Sequence, residues 1–236
     1  MKLSKKLNTK NYKLKTKNYL VVIILGPPGS GKGTQAKLLV KKFKLEYFGS
    51  GDALRNRQKV GDFTGKRLIE VMNRGELVPS FVISKLWIDK LEKFGQRKKI
   101  NGFVFDGSPR KIIEAKFFNE ALIWYELQKK VKVIFINISR KESLHRLIKR
   151  RMCKKCGRQI PWIGKFKLLK KCDKCGGKLI IRADDKPKAI KKRLEEFKKE
   201  VIPVINYYKK QGKLIKINGE QSIESIFQDI LKKISR

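Results

Sequence analysis

Six consecutive apolar residues, Leu20 to Leu25 ("LVVIIL"), run straight into "GPPGSGKGT", Gly26 to Thr34. A short β-branched run that ends at a glycine reads as a strand buried on both faces. The glycines after it let backbone N–H groups converge on phosphate oxygens. The helix that follows, Gly31 to Phe43, adds the positive end of its dipole. Lys32 can reach the β- and γ-phosphates of a nucleotide. Strand, loop and helix in this order specify a phosphate cradle, which a chance glycine-rich turn would not reproduce. One position departs from the usual pattern: Gly33 follows Lys32 where Ser or Thr is common, and Thr34 comes next.

The rest of the chain extends that unit. "GFVFDG" (102–107), "VKVIFINIS" (131–139) and "KLIKING" (213–219) read as further strands. Helical periodicity fills roughly 80–95, 111–129, 140–151, 186–210 and 222–234. Alternation of strand and helix implies an α/β fold: a P-loop parallel sheet flanked by helices, with right-handed crossovers. Two stretches break the rhythm. Residues 49–78 look helical with no strand, and residues 152–182 hold all four cysteines. Both read as insertions at the ligand end of the sheet.

The cysteines form C-x2-C-x15-C-x2-C: Cys153, Cys156, Cys172 and Cys175. This spacing fits a structural, tetrahedral Zn²⁺ with four thiolates and no open position. Gly157 and Gly176 let the chain turn after each pair. Two disulfides or four free thiols are the alternatives. The segment's apolar set (Ile160, Trp162, Ile163, Phe166, Leu168) is too small to bury a core unaided, and zinc binding would supply the missing folding free energy.

Composition bounds the partners. Hydrophobic residues make up 41% and charged residues 34%, enough apolar content for a core. The longest apolar run, Tyr19 to Leu25, is too short to span a bilayer. The lysine-rich tail Met1 to Asn18 has no apolar region after it of the kind a secretory signal needs, so a flexible tail on a cytoplasmic protein is expected. A net charge of +39 favours polyanionic partners. The lysines are spread along the whole chain, which fits overall compositional bias as well as a binding surface. Two classes therefore stand: an enzyme acting on nucleotides, or a basic zinc-ribbon protein that binds nucleic acid.

Further motifs separate them. "GPPGSGKGTQAKLL" is followed by "GSGDALR" (49–55), "RGELVPS" (74–80), "DGSPR" (106–110), "HRLIKRR" (145–151), "RADDKPKAIKKRLEEF" (182–197) and "VIPVINYY" (201–208). Together they resemble adenylate kinases and related nucleoside monophosphate kinases over about residues 20–236. The resemblance implies reversible, Mg²⁺-dependent transfer from ATP to a nucleoside monophosphate, with AMP the expected acceptor. It implies a core (19–48, 79–151, 183–236), a monophosphate-binding insertion (49–78) and a zinc-bearing lid (152–182). ATP would be held by Gly29, Ser30, Gly31, Lys32, Gly33, Thr34 and Arg146, with the Gln221 backbone near its adenine. The monophosphate would meet Ser50, Arg55, Glu76, Val78, Gly107, Arg110, Glu114, Arg182 and Arg193. Lys32, Arg146, Arg150, Arg182 and Arg193 would surround the transferring group, and Asp106 would position Mg²⁺ through water. Asp184 and Asp185 would engage those arginines at the lid hinge. A monomer with no specific nucleic-acid or membrane partner is expected.

The residue types suit that chemistry independently of the resemblance. A phosphate acceptor is already anionic near neutral pH, so positioning and charge neutralisation suffice and no general base is required. Arg146 and Arg150, four apart on a helix, can face the same phosphates. Asp184 and Asp185, just before Pro187, also read as a helix N-cap, and the lone His145 reads as a surface residue. Two positions depart from the family pattern. Ser108 replaces a usual Phe in "DGSPR", removing an aromatic wall or leaving an inconsequential loop serine. Glu114 stands where adenylate kinases usually carry Gln. An ionised Glu only accepts hydrogen bonds, which suits the donor edge of guanine better than adenine. A raised pKa would restore a donor. Alternatively, Glu114 is an exposed helix residue that reads no base.

Overall fold

The computed structural model describes residues 19–93 and 100–234. The lysine-rich tail expected to be flexible lies outside them. The chain runs β1 (Leu20–Leu25), α1 (Lys32–Phe43), β2 (Glu46–Gly49), α2 (Ser50–Gln58), α3 (Phe63–Asn73) and α4 (Ser80–Glu92). It continues with β3 (Gly102–Asp106), α5 (Ile112–Trp124), β4 (Lys130–Asn137) and α6 (Arg140–Lys149). Three short strands follow: β5 (Arg151–Cys153), β6 (Gln159–Ile160) and β7 (Leu179–Ile180). Then come α7 (Pro187–Glu196), α8 (Ile202–Lys210), β8 (Leu214–Asn218) and α9 (Ile223–Ile234).

The main sheet has the order β2-β3-β1-β4-β8, and every pairing is parallel. This is the expected α/β architecture. Strand β1 lies at its centre because it is apolar on both faces. Val21, Ile23 and Leu25 pack on one side with Phe103, Phe105, Val133 and residues of α4, α5 and α8. Val22 and Ile24 pack on the other with Ala36, Leu39, Ile226 and Ile230 of α1 and α9. On the first face Trp87 meets Phe118 edge-on at 5.1 Å between ring centroids, and Phe118 meets Phe105 at 4.6 Å. The carboxyl ends of β1, β2 and β3 therefore emerge side by side, where open parallel sheets place their ligands.

Several boundaries differ from the sequence reading. Strand β2 was not expected: four residues, two of them half-buried, are too few to show a period. The helix expected over 111–129 stops at Trp124, and Glu126 then adopts a left-handed φ of 55°. The helix expected over 186–210 is interrupted by a π turn at Phe197–Val201, just before Pro203, which has no N–H to offer an α-helical ladder. Asp184 and Asp185 cap nothing: Lys186 holds the N-cap position of α7, and the aspartates form a 3₁₀ turn ahead of it. Strands β6-β5-β7 make a separate antiparallel sheet carrying the cysteines.

The aromatic stack under the sheet supplies a direct test. Phe118→Ala deletes the ring shared by Trp87 and Phe105, and should cost about 3–5 kcal/mol. In urea titration the unfolding midpoint should fall with an unchanged slope.

Candidate active site

The phosphate loop closes on its own lysine. The Lys32 ammonium donates to the carbonyls of Gly26 and Pro27, both at 2.8 Å. Gly31, with a φ of 88°, turns the chain into α1. Burial pulls the Lys32 pKa down to about 7, against the attraction of Asp106. Asp106 ends β3, and burial raises its pKa while Lys32 opposes the rise. A Cβ on Gly33 would stand 3.0 Å from Asp106 Oδ2. The departure at Gly33 thus has a physical reason: the carboxylate takes the space that a Ser or Thr side chain would need. That carboxylate, beside the loop, is of the oxygen-donor class that suits Mg²⁺.

A second wall lies at the ends of β2 and β3. The Arg110 guanidinium donates to the Gly107 carbonyl at 2.7 Å and to Ser50 Oγ at 3.0 Å. Ser50 donates in turn to the Gly107 carbonyl at 2.8 Å. Arg55 pairs with Asp52, one turn back on α2. Glu114 is only 2% exposed. Its Oε2 accepts from the Arg110 backbone N–H at 2.7 Å and its Oε1 from Ser80 Oγ at 3.2 Å. The exposed-helix reading of Glu114 is therefore wrong: the first turn of α5 points its carboxylate inward. Ser108 is a loop serine, and it is fully buried.

The third wall is an ion cluster. Arg150 forks onto Asp185 with bonds of 2.8 and 2.6 Å. Arg193 donates to the same carboxylate at 2.8 Å, and Arg182 grips Asp184 at 2.9 and 2.5 Å. Burial pushes the Asp184 pKa up, but Arg193, Arg182 and Arg150 outweigh it and hold it at about 2. Burial lowers the Arg150 pKa to about 10, still high enough to keep its charge at neutral pH. Arg146 lines the same cavity as Arg150 but has different protein partners. It donates to Glu142 at 2.6 Å and to the Gly219 carbonyl at 3.0 Å. Arg150 stands at the C-cap of α6, with ψ at 143°. His145 is half-exposed beside Glu142.

These walls enclose one cavity of about 420 Å³. Every residue expected at the nucleotide and catalytic sites lines it except Gln221. The Gln221 side chain turns instead to the Asn218 carbonyl and Asp229, both at 3.0 Å, and borders a separate cleft with Ile163 and Phe166. The roof of the main cavity comes from the cysteine-bearing segment, through Arg158, Trp162, Ile163 and Phe166. Lys149 lies 5.4 Å from the Trp162 ring centre, and Arg158 lies 6.0 Å from that of Phe166. Tyr47 and Asp52 also line the cavity and were missed. Asp52 was recoverable as the carboxylate three residues before Arg55, whereas Tyr47 sits on the strand that showed no pattern.

The four cysteine sulfurs all lie within 4.8 Å of one another and no disulfide joins them. The Cys153–Cys175 and Cys156–Cys172 separations of 3.5 and 3.7 Å approach the edge of roughly 3.8 Å that tetrahedral Zn–S bonds of about 2.3 Å require. The donor set fits a metal. No described helix is long and apolar enough to cross a membrane.

Comparison with known proteins agrees with the geometry. A family profile described as adenylate kinase matches residues 24–213. An adenylate kinase of Methanothrix thermoacetophila is 40% identical over 217 residues, covering 91% of this chain and 98% of its own. One from Caldanaerobacter subterraneus is 39% identical, covering 90% and 95%. One from Petrotoga mobilis is 37% identical, covering 89% and 94%.

The lowered pKa of Lys32 predicts a proton linkage. Phosphate binds the protonated ammonium and raises its pKa, so the complex holds more protons than the free protein above pH 7. Polyphosphate affinity should level off below pH 7 and fall by up to roughly tenfold per unit above it. Calorimetry at pH 8 in buffers of different ionisation enthalpy should report net proton uptake, which Lys32→Gln abolishes. Equal heats in all buffers, once corrected for the nucleotide's own ionisation, would contradict the linkage.

Proposed function

The chain belongs to the adenylate kinase family, and on that premise we propose how its own residues divide the work. The reaction is phosphoryl transfer from ATP to AMP, ATP + AMP = 2 ADP, with Mg²⁺ accompanying ATP. The observation that carries the assignment of roles is the convergence of Lys32, Asp106, Arg110, Arg150, Arg182 and Arg193 on one cavity. The loop amides and Lys32 hold the ATP phosphates. Arg55 and Arg110 hold the AMP phosphate, with Ser50 and Gly107 fixing the Arg110 fork. Arg150, Arg182 and Arg193 meet the group in flight, exchanging carboxylate partners for phosphate oxygens. When bound, Mg²⁺ neutralises and orients the phosphates, and Asp106 is the residue placed to hold it. AMP attacks with an oxygen already ionised, so no side chain need take a proton. The 152–182 segment acts as the lid, shedding the water that would otherwise receive the phosphoryl group. We propose for the core and the monophosphate-binding segment the boundaries 19–48, 79–151 and 183–236, and 49–78.

We assign the cysteine cluster to a structural zinc, and the chain to a monomer in a reducing, cytoplasmic setting where thiolates persist. The nucleic-acid reading loses its footing because these arginines point into a cavity rather than across a surface.

Three measurements test these assignments. A coupled assay of the purified chain should show ATP- and AMP-dependent ADP formation, and Arg150→Ala should lower kcat about a thousandfold. A rate close to that of the parent would remove Arg150 from the transfer step. Metal analysis should find zinc, and its extraction should loosen the lid and cut activity while leaving the sheet folded. Unchanged activity and melting after extraction would exclude a structural zinc. Glu114 presents only acceptors while ionised, and Ser80 and the Arg110 N–H already fix both its oxygens. Relative to AMP, GMP should therefore be used better than by Glu114→Gln. Strict AMP preference, unmoved by the substitution, would show that Glu114 does not read the base.

A further inference from the structure

Strand β2 runs beside β3 in a register that pairs Gly49 with Asp106 and Tyr47 with Val104. Tyr47 and Gly49 therefore share one face of the sheet, two residues apart. The Tyr47 ring lies along the strand and across Gly49. A Cβ built on Gly49 would stand 2.3 Å from the Tyr47 hydroxyl oxygen and 2.7 Å from the ring carbon that bears it. Gly49 has φ −103° and ψ 113°, ordinary extended backbone that any residue adopts. Glycine is thus present there for space and not for conformation.

The space lets the hydroxyl reach the end of the neighbouring strand. It lies 3.1 Å from Asp106 Oδ2 and 3.2 Å from Asp52 Oδ2. Asp52 uses its other oxygen on Arg55. One hydroxyl therefore connects the carboxylate beside Lys32 to the Asp52–Arg55 pair on α2. Two carboxylates this close repel, and the phenol hydrogen between them offsets that repulsion. A phenol hydroxyl facing two carboxylates is the donor of the three groups.

We propose that Tyr47 is a positioning residue that fixes the Asp106 carboxylate and ties it to the monophosphate-binding Asp52–Arg55 pair, in space kept open by Gly49. The inference rests on the roles proposed above for Asp106 and Arg55. Its consequence is a coupling between the two substrates: the carboxylate that faces Mg²⁺, and through Asp52 the arginine that faces AMP, are tied to the same hydroxyl.

Initial rates of the full chain, measured against Mg²⁺ at fixed ATP and against AMP, test it. Tyr47→Phe keeps the ring and removes only the hydroxyl. It should raise the half-saturating Mg²⁺ concentration and lower kcat, each roughly tenfold, as expected for losing a hydrogen bond to a charged group. The AMP KM should rise with them, while the melting temperature stays near that of the parent. Gly49→Ala should give the same kinetic changes by displacing the phenol. The double variant should match Tyr47→Phe in kinetics, because the hydroxyl is already gone, and any melting temperature it loses reports the remaining contact of the new Cβ with the ring carbons. Asp106→Asn serves as the reference. If it shifts the Mg²⁺ dependence while Tyr47→Phe stays within twofold of the parent, the positioning role is overturned and the reading of Asp106 stands. If Asp106→Asn has no effect either, the reading of Asp106 fails and the inference falls with it. Loss of melting temperature with unchanged kinetics would make Tyr47 a packing residue only and would also overturn the proposal.

Discussion

The Asp185 carboxylate is fully buried and holds two arginines, Arg150 and Arg193, while its neighbour Asp184 holds Arg182. An unpaired charge in such a place would cost several kcal/mol, so the five side chains are stable only as a set. Their positions in the chain give the set its reach. Arg150 immediately precedes β5, Arg182 follows β7 by two residues, and Arg193 sits on α7. Both roots of the cysteine-bearing segment and the helix beside them are thereby fixed to one another. The same guanidiniums line the cavity. A phosphate oxygen can replace a carboxylate oxygen on a guanidinium with the same forked geometry. Occupying the cavity and placing its roof are therefore linked through one ionic cluster.

The far wall is organised by what is missing. Gly33 leaves room for Asp106, and Gly49 leaves room for the Tyr47 phenol that reaches Asp106 from the other side. An added side chain would crowd the carboxylate itself at Gly33 and the phenol that reaches it at Gly49. The buried cavity thus contains few freely rotating groups: Arg110 is held by Gly107 and Ser50, and Glu114 by Ser80 and a backbone amide. Such prior fixation is what electrostatic catalysis needs, because donors already in place cost no reorganisation when charge develops.

How far the sequence discloses this depends on the length of each signal. The phosphate loop was legible because strand, glycines and helix each carry a separate cue. The sheet was legible in β1, β3, β4 and β8, which have five to eight residues each, and β2 was lost because it has four, EYFG. The motif positions brought Arg55, Arg110, Arg146, Arg150, Arg182 and Arg193 to the cavity, but helical spacing alone does not give Arg146 its hydrogen-bond partners. Its partners are set by Glu142 on its own helix and by Gly219 on a distant loop. Glu114 is a similar case: only the fold shows that the first turn of α5 faces inward. Tyr47 leaves no trace, because its role depends on a cross-strand register that the sequence does not print.

The overall charge of +39 says little about the site, but the kind of cation says a good deal. The chain has 14 arginines and 46 lysines, and among the described residues seven arginines line the cavity against two lysines, Lys32 and Lys37. Lysine is the general surface cation of this protein: a mobile, strongly hydrated point charge that keeps solubility without fixed geometry. Arginine appears where a planar fork must hold a carboxylate now and a phosphate later, and its pKa survives the burial that brings Lys32 down to about 7. In a lysine-rich background the arginines of the cavity are thus positions where the charge had to be directional. That contrast also separates the two function classes the sequence left open. A nucleic-acid surface would draw on the abundant lysines, whereas this cavity draws on the scarce arginines.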